Sequence, residues 1–183
     1  MSTDEAGDRA RWVNAVLERF EGPLTLYASR LLGDVHAARD VVQETFLRLC
    51  REPRGTVEAH LAPWLYTVCR NLATDERRKG RHMARTNAPT LDGRQATGAP
   101  PDAAVERTES ATKALEAIDA LPESQQEVLR LKFRHGLSYR EIAGVTGLTV
   151  SHVGVLIHEG MKSLRRHLGV PMPVKTAIEG GVQ

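Results

Sequence analysis

Apolar residues recur every three or four positions through most of this 183-residue chain, and no stretch keeps the apolar–polar alternation typical of a strand. The helical pattern stops between residues 86 and 106, where Pro, Gly, Thr and Asp replace large apolar side chains. Because a core needs such side chains, this stretch predicts a linker. The sequence therefore predicts an all-α fold with two small helical domains joined by a flexible linker.

Domain limits follow from where the helical spacing begins and ends. We predict a flexible N-terminus at 1–10, a helical domain at 11–85, a linker at 86–106, a second helical domain at 107–168 and a flexible tail at 169–183. Each domain lies near the lower size limit for an independent core, so both would gain stability from a partner.

Three helices are expected in the first domain. The first runs from Arg11 to about Leu32, and Gly22-Pro23 should kink or divide it. Asp34 can cap the second, which ends near Arg51. The third has Pro63 in its first turn and ends near Gly80.

Composition excludes some classes of protein and leaves others open. The net charge is only +2, so a nucleic-acid binder would need its positive charge concentrated locally, as in residues 75–85 with their five Arg or Lys side chains. Cys50 and Cys69 resemble small buried apolar residues of a reducing compartment. The N-terminus lacks a secretion signal, and no apolar run approaches the roughly 20 residues that span a bilayer. We expect a cytoplasmic protein without membrane insertion.

The stretch "LSYREIAGVTGLTVSHVGVL" has the spacing of a helix-turn-helix, so the second domain should be a helix-turn-helix domain. Ser138 and Glu141 form a capping-box pattern that opens its first helix, and Gly147 supplies the turn. Small and apolar residues stand where the two helices would meet: Ala143, Ile142, Leu148, Val153 and Leu156. A helical hairpin without a role in DNA binding remains the alternative.

The last helix would present its first turns to base edges. Ser151 and His152 offer hydrogen bonds there, and Val155 can touch a thymine methyl. Cations that can hold phosphates follow at the far end of this helix and on the preceding one: Lys162, Arg165, Arg166 and Arg140. For Val155, a face against another protein is the alternative.

Two further patterns lie in the first domain. Asp40, Gln43, Glu44 and Leu47 form one stripe opposite the apolar face of the second helix, which suits either a partner helix or solvent. On the third helix, Trp64 and Tyr66 precede a basic end. Exposed aromatics beside cations bind unstacked bases, although both rings can equally belong to the core.

Together these residues resemble bacterial RNA polymerase sigma factors of the extracytoplasmic-function (ECF) group of the sigma-70 family. Three stretches carry the resemblance: "DVVQETFLRL", "WLYTVCRNLATDERR" and "ALPESQQEVLRLKFRHGLSYREIAGVTGLTVSHV". The resemblance implies that they bind core polymerase, the minus-ten element and the minus-thirty-five element, respectively.

The implied partners are promoter DNA and core RNA polymerase, through the clamp of its largest subunit and the flap of its second-largest. An anti-sigma factor is a further candidate. The implied polymerase contacts are Asp40, Gln43, Glu44 and Leu47. The implied minus-ten contacts are Trp64, Arg70, Asn71, Asp75, Arg77, Arg78 and Arg81, and the loop of residues 52–62 would receive an extruded base. The implied minus-thirty-five contacts are Arg140, Ser151, His152, Val155, Lys162, Arg165 and Arg166.

One departure from the family concerns the last helix. Members commonly carry basic residues in its first half, where this chain has Gly154, Leu156, Glu159 and Met161. The departure puts the choice of promoter element in question, and not the fold.

Two other functions were weighed. A stand-alone helix-turn-helix regulator would bind duplex DNA as a dimer, but it gives the Asp40 stripe no role. An enzyme is not expected, because H-E-x-x-H, a phosphate-binding glycine loop and a nucleophile elbow are all missing from the sequence. His152 and His158 are six residues apart and do not share a helix face. We therefore expect no catalytic residue, no metal site and no cofactor.

Overall fold

The computed structural model describes residues 3–86 and 116–168, and within these ranges the only regular structure is helical. The described residues form two compact units, one from residues 3–86 with 140–148, the other from residues 116–139 with 149–168. The all-α fold with a helix-turn-helix is confirmed. The domain limits proposed above remain predictions, and the tail and nearly all of the linker lie outside the described residues.

The first unit is built on three long helices: α1 (Thr3–Leu32), α2 (Val35–Arg51) and α4 (Leu61–Thr86). A short α3 (Arg54–Val57) and a 3₁₀ turn (Glu58–His60) connect α2 to α4. Each long helix packs against the other two. Leu24, Leu49 and Leu65, one from each, are fully buried where the helices meet.

Aromatic packing joins α1 to α4 at the centre of this core. The Tyr27 and Tyr66 rings meet edge to face with their centroids 5.2 Å apart. Tyr66 is therefore a core residue, whereas Trp64 stays partly exposed. The sequence left open whether each ring is exposed for base binding or belongs to the core, and the answer differs between the two rings.

Local signals set the limits of α2. The Asp34 carboxylate accepts hydrogen bonds from the backbone N–H groups of His36 at 2.7 Å and Ala37 at 3.4 Å, so two first-turn donors are satisfied. Gly33, with φ +73°, makes the turn from α1. The predicted start and end of α2 are both confirmed.

Two helices are longer than the apolar pattern indicates. α1 begins at Thr3, within the residues for which a flexible N-terminus is predicted, and it continues through Pro23 without ending there. α4 runs to Thr86 and not to about Gly80. Both extensions are polar, and polar side chains such as Arg and Lys favour a helix without adding to an apolar stripe.

The remaining helices are α5 (Glu123–Phe133), α6 (Tyr139–Thr146) and α7 (Val150–His167), and residues 116–119 are also helical. α5 packs against α7, with Val128, Leu129 and Leu131 buried on α5. Ile142 and Val145 are buried on α6. Gly136 and Gly147 take the left-handed conformation, with φ +71° and +74°, in the turns that follow α5 and α6.

The structure differs from expectation at one cysteine. Cys69 is buried, but Cys50 is exposed because it lies on the outer side of the last turn of α2. No single helix in the described ranges is long and apolar enough to cross a membrane, and only the bent pair α6 and α7, taken together, reaches that length and composition.

Candidate polymerase and promoter contacts

Asp40, Gln43, Glu44 and Leu47 lie along one side of α2, and we call them the ridge. Asp40 and Gln43 are exposed, Glu44 is half-buried and Leu47 is 45% exposed. The opposite side of α2 packs into the core through Val42, Phe46 and Leu49, among others, so the ridge can only face outward. The Arg48 Nε donates to the Glu44 carboxylate at 3.0 Å and holds it in place.

The ridge separates two grooves. One, of about 430 Å³, lies between α1 and α2 and includes Gln43 and Leu47 in its lining. The other, of about 420 Å³, lies between α2 and α4, and its lining includes Asp40 and Glu44. A partner helix laid on the ridge would therefore meet an apolar groove on one side and a charged groove on the other.

The predicted minus-ten contacts form two neighbouring stripes on α4. Trp64, Asn71, Asp75 and Arg78 are spaced by seven, four and three residues, so they share one face. Arg70, Arg77 and Arg81 share a second face, about 100° around the helix. Trp64 and Arg70 are half-buried. The other five side chains are exposed: Asn71, Asp75, Arg77, Arg78 and Arg81.

The first stripe borders the ridge. Asp75 and Arg78 line the groove between α2 and α4 together with Asp40 and Glu44. The Arg78 guanidinium pairs with the Asp75 carboxylate at 3.1 Å on this surface. The same small unit therefore presents the predicted polymerase contacts and the predicted minus-ten contacts side by side.

The connection between α2 and α4 is held by Arg54, a residue that the sequence analysis did not single out. Its guanidinium donates to the Asp8 carboxylate at 3.0 Å and to Glu58 at 2.8 and 3.1 Å, and it lies 5.5 Å from the centre of the Trp12 ring. The Glu58 hydrogen bond raises the pKa of Arg54, so the group stays charged. Asp8 and Glu58 lie 46 and four residues from Arg54 in the sequence, so no local sequence pattern predicts the contact with Asp8.

Arg9 ties the start of α1 to the same connection. Its guanidinium donates to the backbone oxygen of Cys50 at 2.8 Å and also to that of Glu52. These carbonyls lie at the C-terminus of α2, where helix oxygens lack intrahelical partners. The N-terminal turns of α1 thus fix the loop predicted to receive an extruded base.

On α7, the Thr149 hydroxyl caps the N-terminus by accepting from the His152 N–H at 3.2 Å. Val153, Leu156 and Ile157 are buried, which leaves Ser151, His152 and Val155 exposed in the first turns. At the far end, Lys162 and Arg166 are exposed and Arg165 is half-buried. Arg140 is exposed in the first turn of α6. The sequence prediction of an outward neutral start and a basic end on α7 matches these positions.

Tyr139 and Lys132 lie beside α7 and were not predicted. A Cβ added to Gly154 would lie 3.7 Å from Cε2 of Tyr139, an ordinary contact, so the ring lies beside this position of α7. The Lys132 ammonium lies 5.5 Å from the centre of that ring.

Buried titratable groups are few among the described residues. Burial raises the pKa of the Cys69 thiol to about 12, although a hydrogen bond with Thr45 opposes the shift. In the part of the chain that the structure describes, no group of three or more His, Cys, Asp or Glu side chains is placed to hold a metal ion.

Comparison with known proteins gives two family matches. The chain matches the family model "Sigma-70 region 2" over residues 16–83 and "Sigma-70, region 4" over residues 112–164. The second match spans α5, α6 and all but the last three residues of α7, so the three helices belong to one family region.

Curated relatives agree with these matches. The chain is 31% identical to the ECF RNA polymerase sigma factor SigL of Mycobacterium tuberculosis over 173 residues, which cover 90% of this chain and 95% of SigL. It is 31% identical to SigW of Bacillus subtilis over 148 residues, covering 76% of this chain and 79% of SigW.

Among solved structures, the sigma factor RpoE from Bartonella quintana, in complex with the anti-sigma factor NepR, has a similar fold. The TM-score is 0.54 at 19% identity, covering 87% of this chain and 98% of RpoE. Sigma factors are not enzymes in the catalytic sense, and the relatives act in the cytoplasm with RNA polymerase. The likeness to SigL over 90% of this chain, together with the two region matches, shows that the chain belongs to the ECF RNA polymerase sigma factors.

Proposed function

We propose that this sigma factor, which binds core RNA polymerase and directs it to promoters, docks through the ridge on α2. The observation that carries the proposal is the exposed Asp40, Gln43 and Leu47 above a fully packed inner face. The partner would be the clamp of the largest polymerase subunit. Arg48 supports this role because its bond to Glu44 sets the direction of that carboxylate before binding.

The stripes on α4 would bind the minus-ten element. Arg70, Arg77 and Arg81 would follow the phosphates of one strand, while Trp64 and Asn71 on the neighbouring face would meet bases. The connection of residues 52–62 would take an extruded base. Extrusion costs a few kcal/mol, which the polymerase-held bubble must offset, so this chain alone should open DNA poorly.

The start of α7 would enter the major groove of the minus-thirty-five element. Ser151, His152 and Val155 would face base edges, and Lys162, Arg165 and Arg166 would hold phosphates together with Arg140. The flap of the second-largest polymerase subunit would keep this domain in place. A stand-alone regulator is not favoured, because the chain also matches Sigma-70 region 2 over residues 16–83.

Further partners and the place of action belong to the same proposal. We infer that the chain acts in the cytoplasm, catalyses no reaction by itself and needs no cofactor. An anti-sigma factor is a candidate partner, by analogy with the RpoE–NepR complex.

Reconstitution with bacterial core polymerase tests the whole proposal. Transcript starts that depend on the chain should share two upstream elements at a constant spacing. Starts without a shared upstream element, or no starts at all, would refute it.

A further inference from the structure

The first three turns of α7 expose Val155 with no Lys or Arg in the same turns, and the exposed Glu159, four residues further along, is acidic. Between Val150 and Met161 the sequence contains no Lys or Arg, and the first cation of the helix is Lys162. Val155 is 52% exposed, a large fraction for an aliphatic side chain on a folded surface. The usual guanine contact needs an Arg or Lys that reaches O6 and N7, and this part of α7 has neither.

Val155 is central to the exposed face of the helix. Ser151, Val155 and Lys162 are spaced by four and seven residues and so form one line along α7, opposite buried Val153 and Ile157. The hydrogen bond that caps the helix at Thr149 fixes the first turn of α7, where this line of residues begins. A helix that places Lys162 on phosphate and Ser151 at a base edge therefore places Val155 against the bases between them.

The neighbouring surface includes an aromatic ring with a cation over it. Next to Val155 in sequence, Gly154 has no side chain, and the 39%-exposed Tyr139 ring covers that position. Gly154 therefore adds no cation next to Val155 in the sequence, and the Lys132 ammonium lies 5.5 Å from the centre of the Tyr139 ring. In the major groove, the apolar group that such a surface can bury is the C5-methyl of thymine.

We propose that Val155 reads a thymine methyl in the minus-thirty-five element, so this sigma factor selects a thymine at a position where a basic side chain would select guanine. The inference rests on the proposed role of α7 in minus-thirty-five recognition. Burial of one methyl group corresponds to about a fourfold change in affinity.

The test removes only the methyl group. Each thymine of the minus-thirty-five element, on either strand, is replaced by deoxyuridine in a promoter mapped by reconstitution, and binding by the reconstituted holoenzyme is measured. One replacement should weaken binding about fourfold. In the Val155→Ala holoenzyme the same replacement should change binding less than about twofold.

Val150→Ala is the matched control. Val150 is 44% exposed but lies about 140° around the helix from Val155, so its loss should leave the deoxyuridine effect intact. If no replacement matters to the wild-type holoenzyme, or if Val155→Ala keeps the full effect, the inference is wrong. It is also wrong if Val155→Ala weakens binding to core polymerase and leaves the deoxyuridine effect unchanged.

The methyl contact of Val155 and the DNA-binding role of α7 can be distinguished experimentally. If Lys162→Ala weakens promoter binding while deoxyuridine has no effect, α7 binds DNA and only the methyl contact is refuted. If neither Lys162→Ala nor a scrambled minus-thirty-five element changes binding, the proposed role of α7 fails as well.

Discussion

Single residues decide how closely the helices can approach, and two glycines of α7 show opposite cases. At Gly160 an added Cβ would lie 2.8 Å from Cδ1 and 3.3 Å from Cγ of Leu129, which is only 2% exposed and has little room to move. At Gly154 the nearest atom would be 3.7 Å away, an ordinary contact. The sequence shows two glycines in one helix, but only the packing of α5 against α7 distinguishes them.

Gly154→Ala should stabilise the protein and Gly160→Ala should destabilise it. Each replacement gains about 1 kcal/mol of helix propensity. Overpacking against Leu129 costs about 1–3 kcal/mol, so the net effect at Gly160 is a loss. Urea unfolding followed by circular dichroism measures both, and equal stabilisation by the two replacements would show that α5 and α7 pack less closely at Gly160.

The two cysteines should react very differently with a thiol reagent. Exposed Cys50 should be labelled in the native protein, whereas Cys69 is buried, with a pKa of about 12, and should be labelled only on unfolding. Mass spectrometry after brief treatment with iodoacetamide should find one label, on Cys50. Prompt native labelling of Cys69 would contradict the burial.

The Cys69 thiol also contributes to the pH dependence of the protein's stability. Its folded pKa of about 12 is above the ordinary value of 9.0, so the folded state keeps a proton that the unfolded state loses. This contribution is fully present below about pH 9 and is lost as the pH rises towards 12. Cys69→Ala should show a shallower loss of stability over that range, and an unchanged slope would contradict the shift.

Elements show where sequence reasoning succeeds and where it stops. The limits of α2 and the turn before α7 follow from local chemistry, namely the Asp34 cap, Gly147 and the Thr149 cap. The first turns of α1 have no apolar stripe, and the contacts of Arg9 lie more than 40 residues away in sequence. Such long-range contacts of polar residues leave no periodic signal, so they had to be found in the structure.

Arg9→Ala should destabilise the first unit, because carbonyls at the end of α2 would lose a charged donor. We expect a loss of about 1–2 kcal/mol. Arg11→Ala is the matched control, since its ion pair with Asp8 is 3.6 Å long and both side chains are largely exposed, so the loss should stay below about 0.5 kcal/mol.

Tryptophan fluorescence during urea unfolding measures this difference. Both tryptophans, Trp12 and Trp64, lie in the first unit, so the signal reports that unit alone. Equal stability of the two variants would mean that the start of α1 does not hold the connection after α2.

At the scale of the whole molecule, the proposed polymerase contacts and the proposed minus-ten contacts lie on adjoining surfaces of the first unit. The sequence predicted the ridge and the basic end of α4, but their common border, the groove lined by Asp40, Glu44, Asp75 and Arg78, appears only when α2 and α4 are packed. The ridge has the largest consequence for function, because every promoter contact proposed above acts only after core polymerase has been bound.

The most direct measurement compares core polymerase binding by two charge-reversed variants. Asp40→Arg with Glu44→Arg reverses the ridge, while Glu18→Arg with Glu116→Arg makes the same change in net charge at exposed positions elsewhere. Loss of two charged contacts should weaken binding at least about a hundredfold for the ridge variant, and the control should bind like the wild type. If the ridge variant binds core polymerase as tightly as the control, the docking surface is wrong.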